Sequence, residues 1–214
     1  MKSGFVLKTG DRVLFCGDSV TRRTATTEGV PHDRLITYMD SWVPVVEMMI
    51  AAAYPSLRLA FYNRAIGGST IHDVHSMLEA NIRESNPSWI SLMIGLNDSW
   101  KSPAIDAYKQ GIRDFIRRCR EGNVPNIILM TPTINGSKRE EASNRILQRY
   151  ADAVRKISQE EGVYLVDVHK AFWRFLKETE AGLQLPLTVD GVHMNPVGNQ
   201  LIAHTWLKSL GFEL

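Results

Sequence analysis

Two short segments far apart in a 214-residue chain hold the residue types of a nucleophilic serine site. The apolar run Val13-Leu14-Phe15-Cys16 stops at Gly17-Asp18-Ser19, and Asp190-Gly191-Val192-His193 follows much later. A serine hydroxyl attacks a carbonyl efficiently only when a base removes its proton. An imidazole titrates near neutrality and suits that task. A carboxylate beside it can fix its tautomer and stabilise the imidazolium. Ser19, His193 and Asp190 therefore form a candidate triad. Singly, each has a plainer reading: Ser19 as a helix N-cap, Asp190 as a turn residue, His193 as a polar residue ahead of Pro196.

Acyl transfer also needs donors for the oxyanion of the tetrahedral intermediate. Two segments can supply them. Ala65-Ile66-Gly67-Gly68-Ser69-Thr70 sets glycines at a strand-to-helix turn, where backbone N–H groups can approach a ligand closely. Gly95-Leu96-Asn97-Asp98 sets an asparagine amide just past another apolar run.

These segments need a scaffold that brings them to one edge. Short apolar runs at residues 12–16, 57–62, 89–94, 126–130 and 163–168 read as strands. Helical periodicity or composition marks 42–54, 71–83, 107–120, 140–160, 171–179 and 196–210. Strands alternating with helices predict an α/β fold, a parallel sheet covered on both faces. Such sheets carry their chemistry beyond the C-terminal ends of the strands, where the polar segments fall. The stretch 20–41 is far longer than the ~2–6 residues usual between strand and helix. It reads as a substrate-shaping loop, a subunit contact or an ordinary surface excursion.

With four blocks in hand, the chain resembles the SGNH-type (GDSL-like) hydrolase superfamily. The blocks are Gly17-Asp18-Ser19-Val20-Thr21, Asn63-Arg64-Ala65-Ile66-Gly67-Gly68-Ser69-Thr70, Gly95-Leu96-Asn97-Asp98 and Asp190-Gly191-Val192-His193. They stand in the family's order and span the chain. The resemblance implies Ser19 as nucleophile, His193 as base and Asp190 as its orienting group. It implies an oxyanion hole from the backbone N–H groups of Ser19 and Gly68 and the side-chain amide of Asn97. It implies a three-layer α/β/α sandwich with a flavodoxin-like, five-stranded parallel sheet. Val20 stands where the family often has Leu or Ile.

Within the superfamily the chain is most similar to compact bacterial carbohydrate esterases of the acetylxylan-esterase type. The similarity rests on Met93-Ile94-Gly95-Leu96-Asn97-Asp98-Ser99-Trp100, Ile128-Leu129-Met130-Thr131-Pro132 and Leu210-Gly211-Phe212-Glu213. A long acyl chain needs a long apolar groove, and little chain is left over to build one. The expected reaction is hydrolysis of short-chain esters, acetyl above all, on a carbohydrate. Asp18 and Trp100 are read as substrate-binding positions, with Trp100 as a pocket wall or simply rim packing. A lysophospholipase, a thioesterase and a non-catalytic carbohydrate-binding protein of the same fold are the alternatives.

Bulk properties narrow the classes further. With 44% hydrophobic and 22% charged residues, the chain suits one domain, 1–214. A net charge of +2, from 25 basic and 23 acidic residues, predicts no nucleic-acid or membrane partner. Its two cysteines, Cys16 and Cys119, lie in or beside apolar elements and read as buried free thiols, which suits a reducing compartment. No apolar run reaches the ~20 residues of a membrane span, nor is there a leader-like N-terminus. A soluble, cytoplasmic protein is expected. His72 and His75 stand three residues apart at the start of a helix and could share a face. The pair lacks a third ligand at a recognised spacing, so no metal or other cofactor is expected. Relatives of this type assemble, which implies a homo-oligomer.

Overall fold

A computed structural model describes residues 4–22, 41–101, 104–179 and 186–213. Five strands form the sheet: β1 (Arg12–Gly17), β2 (Ala60–Asn63), β3 (Trp89–Met93), β4 (Asn126–Met130) and β5 (Tyr164–Val166). All pairings are parallel, in the order β2-β1-β3-β4-β5. Seven helices accompany them among the described residues: α1 (Trp42–Ala53), α2 (Ile71–Ser85), α3 (Leu96–Lys101), α4 (Ile105–Glu121), α5 (Ala142–Glu161), α6 (Val168–Thr179) and α7 (Pro196–Ser209). The three-layer α/β/α sandwich and flavodoxin-like sheet are present as expected.

Side chains alternate across a strand, so a sheet covered on both faces must be apolar on both. Every residue of β3 is buried, and in β1 only Arg12 is not. Val13 and Phe15 of β1 pack with Trp42 and Val46 of α1, Phe172 of α6, and Ile202 and Trp206 of α7. Leu14 and Cys16 face the other way, toward Leu78 of α2, Phe115 of α4 and Val154 of α5. The indole N–H of Trp206 donates to Ser91 Oγ at 3.1 Å, which satisfies the polar edge of a fully buried ring.

The chain runs from β1 to β2 on one side and then crosses back to β3 on the other. That reversal falls between β1 and β3, and the C-terminal edge at such a reversal is the usual place for a ligand in an open parallel sheet. Cys16 pairs with Leu92 and Gly17 with Met93, so the segments after both strands leave the sheet side by side.

Several boundaries differ from the expected ones. The run 57–62 begins in a 3-10 turn, Pro55–Leu57, and β2 starts only at Ala60. The strand expected over 163–168 ends at Val166, because the Asp167 carboxylate accepts from the Lys170 N–H at 3.1 Å and α6 already starts at Val168. Leu96 and Asn97, just past the apolar run 89–94, open the short helix α3. Of the stretch 20–41, residues 23–40 lie outside the described residues. Cys16 and Cys119 are both buried and unbridged, and burial pushes the Cys16 thiol up to about 12. No helix among the described residues is long and apolar enough to cross a membrane.

Candidate active site

The turn after β1 is shaped by close approach. A Cβ on Gly17 would stand 2.5 Å from the Met93 carbonyl oxygen of β3, so only glycine lets the chain turn there. The next residues wind into a tight turn in which the N–H groups of Thr21 and Arg22 donate to the Asp18 carbonyl at 3.1 and 2.9 Å. Ser19 sits at its head, partly exposed.

The second half arrives from the segment before α7. A short antiparallel bridge, Thr188 with Met194, closes a loop around residues 189–193. Inside it the Asp190 Oδ1 accepts from the N–H groups of Val192 and His193 at 2.9 and 2.7 Å. Its Oδ2 lies 2.6 Å from His193 Nδ1, and His193 Nε2 lies 3.0 Å from Ser19 Oγ. The imidazole hydrogen bond, helped by the two backbone donors, holds the Asp190 carboxyl down at about 2. It is therefore ionised throughout the neutral range. Side-chain exposures of 47% for His193 and 51% for Asp190 put this relay in contact with solvent.

One contact ties the triad loop to the rest of the fold. The Gly136 N–H donates to the Gly191 carbonyl at 2.6 Å. The segment bearing Gly136 is gripped from below by Asn144 of α5, 2% exposed, whose amide pairs with both backbone groups of Asn135 at 2.8 and 2.6 Å and donates to the Lys138 carbonyl at 2.8 Å. Sequence reading misses Asn144. Its signal is a lone amide on the apolar stripe it shares with Leu147, Ala151 and Val154.

The two donor segments meet beside Ser19. Past β2, the N–H groups of Arg64 and Ile66 continue the ladder to Phe15 and Gly17, which lays the glycine turn along the end of β1. Gly68 adopts φ +78°, and a Cβ on Gly67 would stand 3.8 Å from Ser19 Cβ. Asn97, 7% exposed, donates from Nδ2 to the Ser69 carbonyl at 3.1 Å, and an amide nitrogen carries a second hydrogen. Neither the Ser19 N–H nor the Gly68 N–H donates to any of the described residues. Three residues of α3 grip the turn: Asn97 at Ser69, Lys101 Nζ at the Gly68 carbonyl (2.7 Å), and Asp98 Oδ1 at the Ile71 N–H (2.9 Å). The contact from Lys101 carries no sequence signal, since it depends on a turn 33 residues earlier.

The expected substrate-binding pair divides. Trp100 is 49% exposed and stands at the edge of α3. Asp18 is only 2% exposed, and its Oδ1 accepts from the Val20 N–H at 3.0 Å, so the structure sets it beneath the site rather than facing a substrate. The physical reason is its position: it follows the last residue of a buried central strand, and its carboxyl folds back on the turn. Burial pushes Asp18 up to about 7 and Asp98 up to about 6. His75 is occupied structurally, with Nε2 2.9 Å from the Gly111 carbonyl and Nδ1 2.7 Å from Arg118 Nη1. No cluster of three metal-ligating side chains occurs among the described residues.

The raised value of Asp18 has a consequence for stability. Its folded value lies above that of the unfolded chain, so the native state holds a proton that the unfolded chain releases. The contribution is full below about 4, where the unfolded chain is protonated too, and is lost as pH rises from there to about 7. Asp18→Asn is expected to be more favourable, relative to wild type, at pH 8 than at pH 5, by on the order of 2 kcal/mol. Urea unfolding of both proteins at the two pH values measures this. An unchanged difference would show that Asp18 ionises alike in the folded and unfolded chain.

Chemically, the arrangement pairs a hydroxyl with an imidazole whose far nitrogen meets an ionised carboxylate, next to unpaired N–H donors. Fold and site together are those of a serine ester hydrolase built on a parallel α/β sheet. Residues 15–201 match the model of the GDSL-like lipase/acylhydrolase family, and the chain belongs to that family. An acetylxylan esterase of Geobacillus stearothermophilus is 29% identical over 95% of both chains. A crystal structure of an acetylxylan esterase from that organism superposes with a TM-score of 0.81 at 29% identity, covering 100% of this chain and 98% of that one. Solved catalytic mutants of the same esterase replace a serine, an aspartate and a histidine by alanine. An α/β hydrolase from the metagenome of Lake Arreo, Spain, is 24% identical, with a TM-score of 0.83 over 98% of this chain and 99% of that one, and shares the fold.

Proposed function

We propose that the protein removes short acyl groups, acetyl first among them, from an acylated carbohydrate through an acyl-enzyme on Ser19. The observation that carries this reading is the 3.0 Å contact of His193 Nε2 with Ser19 Oγ, backed by Asp190 on Nδ1. The 29% identity to an acetylxylan esterase supports the substrate class.

In this mechanism His193 Nε2 takes the Ser19 proton as Oγ attacks the ester carbonyl. The oxyanion accepts from the N–H groups of Ser19 and Gly68 and from Asn97 Nδ2. The C–O bond to the sugar then breaks, and His193 returns the proton to the leaving sugar oxygen. Water attacks the acyl-serine with His193 again as base, and a second collapse releases the carboxylic acid and restores the Ser19 hydroxyl. Asp190 stabilises the imidazolium at both stages.

The test is hydrolysis of p-nitrophenyl esters from acetate to palmitate, alongside acetylated xylo-oligosaccharides. Activity is expected to be highest on acetate, to fall with chain length, and to include the acetylated sugars. A rise with chain length would overturn the acetyl reading in favour of a lipid or thioester hydrolase. Failure to cleave any ester would overturn the enzymatic one.

A further inference from the structure

Two cations flank the turn beside Ser19, and nothing in the mechanism above uses the charge of either. Gly67 does not adopt a positive φ, so its backbone conformation makes no demand for glycine. What occupies the space is Arg22: a Cβ on Gly67 would stand 3.2 Å from Arg22 Nη1 and 3.8 Å from Ser19 Cβ. The guanidinium thus lies over the glycine, on the side that faces the serine. On the other residue of the turn, Lys101 Nζ sits 3.9 Å from where a Gly68 Cβ would be. It spends one hydrogen on the Gly68 carbonyl and keeps two.

Neither cation has a carboxylate within 4.0 Å among the described residues, whereas Arg113, Arg117, Arg118, Arg120 and Arg155 all do. Asp73 and Asp98 feel the Lys101 charge from beyond ion-pair distance, and the hydrogen bonds of the nearby acids go elsewhere. Asp190 is held by His193, and Asp73 accepts from the Thr70 N–H and hydroxyl at 2.8 and 2.7 Å. Asp18 and Asp98 are buried beneath the site. Both cations are exposed, so a bound anion can reach them.

We propose that Arg22 and Lys101 receive a carboxylate carried by the sugar, so that the preferred substrate is an acylated oligosaccharide bearing a uronic acid. This rests on the reading of the site as a carbohydrate esterase. A guanidinium fork matches a carboxylate with two parallel hydrogen bonds, and an ammonium adds a point charge. A phosphate would suit the same two cations; the carbohydrate-esterase reading selects the carboxylate, the acidic group an oligosaccharide itself carries.

The experiment compares kcat/KM for an acetylated xylo-oligosaccharide with that for the same oligosaccharide carrying one uronic acid. Wild type is expected to favour the acidic substrate about tenfold at low salt, and added salt should shrink the ratio. Arg22→Gln should bring the ratio close to one, and Arg22→Lys should recover part of it. Because each ratio is taken within one variant, a general loss of activity cancels. Equal rates on both sugars in wild type would overturn the inference and leave the esterase reading intact. A charge preference seen only with an acidic acyl group, such as a succinate half-ester, would also overturn it. Cleavage of p-nitrophenyl acetate without cleavage of either sugar would overturn the carbohydrate reading itself.

Discussion

Asp190→Asn is expected to lower kcat by about 10³–10⁴ with little change in KM. The reason lies in how the carboxylate is held. One oxygen already accepts two backbone N–H groups, from Val192 and His193. An amide in its place must turn its own oxygen toward those donors, which aims its NH2 at His193 Nδ1. That nitrogen then has to accept, so the ring proton moves to Nε2, and Nε2 can no longer take the proton of Ser19. Steady-state kinetics on p-nitrophenyl acetate measures the loss. A drop of less than tenfold would mean that His193 keeps the working tautomer without the carboxylate, and that Asp190, half exposed to water, does little for the reaction.

Ser19→Ala should cost more, about 10⁴–10⁶ in kcat. The Oγ contacts only His193 among the described residues, so the substitution removes the nucleophile and leaves no buried group unpaired. Its unfolding free energy should stay within ~0.5 kcal/mol of wild type. An organophosphonate should add one adduct mass to wild type and none to the variant, as read by intact-protein mass spectrometry. Labelling that persists in Ser19→Ala would place the nucleophile elsewhere.

Much of this arrangement is legible without coordinates, for identifiable reasons. Strands such as Trp89–Met93 are short and, Ser91 apart, apolar, and a sheet covered on both faces suits them. Ser19, His193 and Asp190 stand out because their types suit one chemistry, and the structure brings them within hydrogen-bonding distance. What the sequence leaves hidden has a common cause. Asp18 sits in the same motif as Ser19, yet one step along a turn separates an exposed hydroxyl from a buried carboxyl. Lys101 and Arg22 stand far apart in the sequence, and only the fold sets both at one glycine turn. Asn144 reaches Gly191 only by way of Asn135 and Gly136, a connection that no local pattern encodes.

His193 lies 174 residues after the Ser19 that it meets. The same closing stretch that carries it, residues 186–213, also delivers Trp206 into the core against Phe15 and Trp42, at ring distances of 5.7 and 6.5 Å. During synthesis, all five strands leave the ribosome before either contribution does. A nascent chain can therefore pair its sheet while one face of that sheet still lacks Trp206 and Ser19 still lacks His193. Seating that stretch has two results at once: one face of the sheet gains Trp206, and Ser19 gains the imidazole beside it.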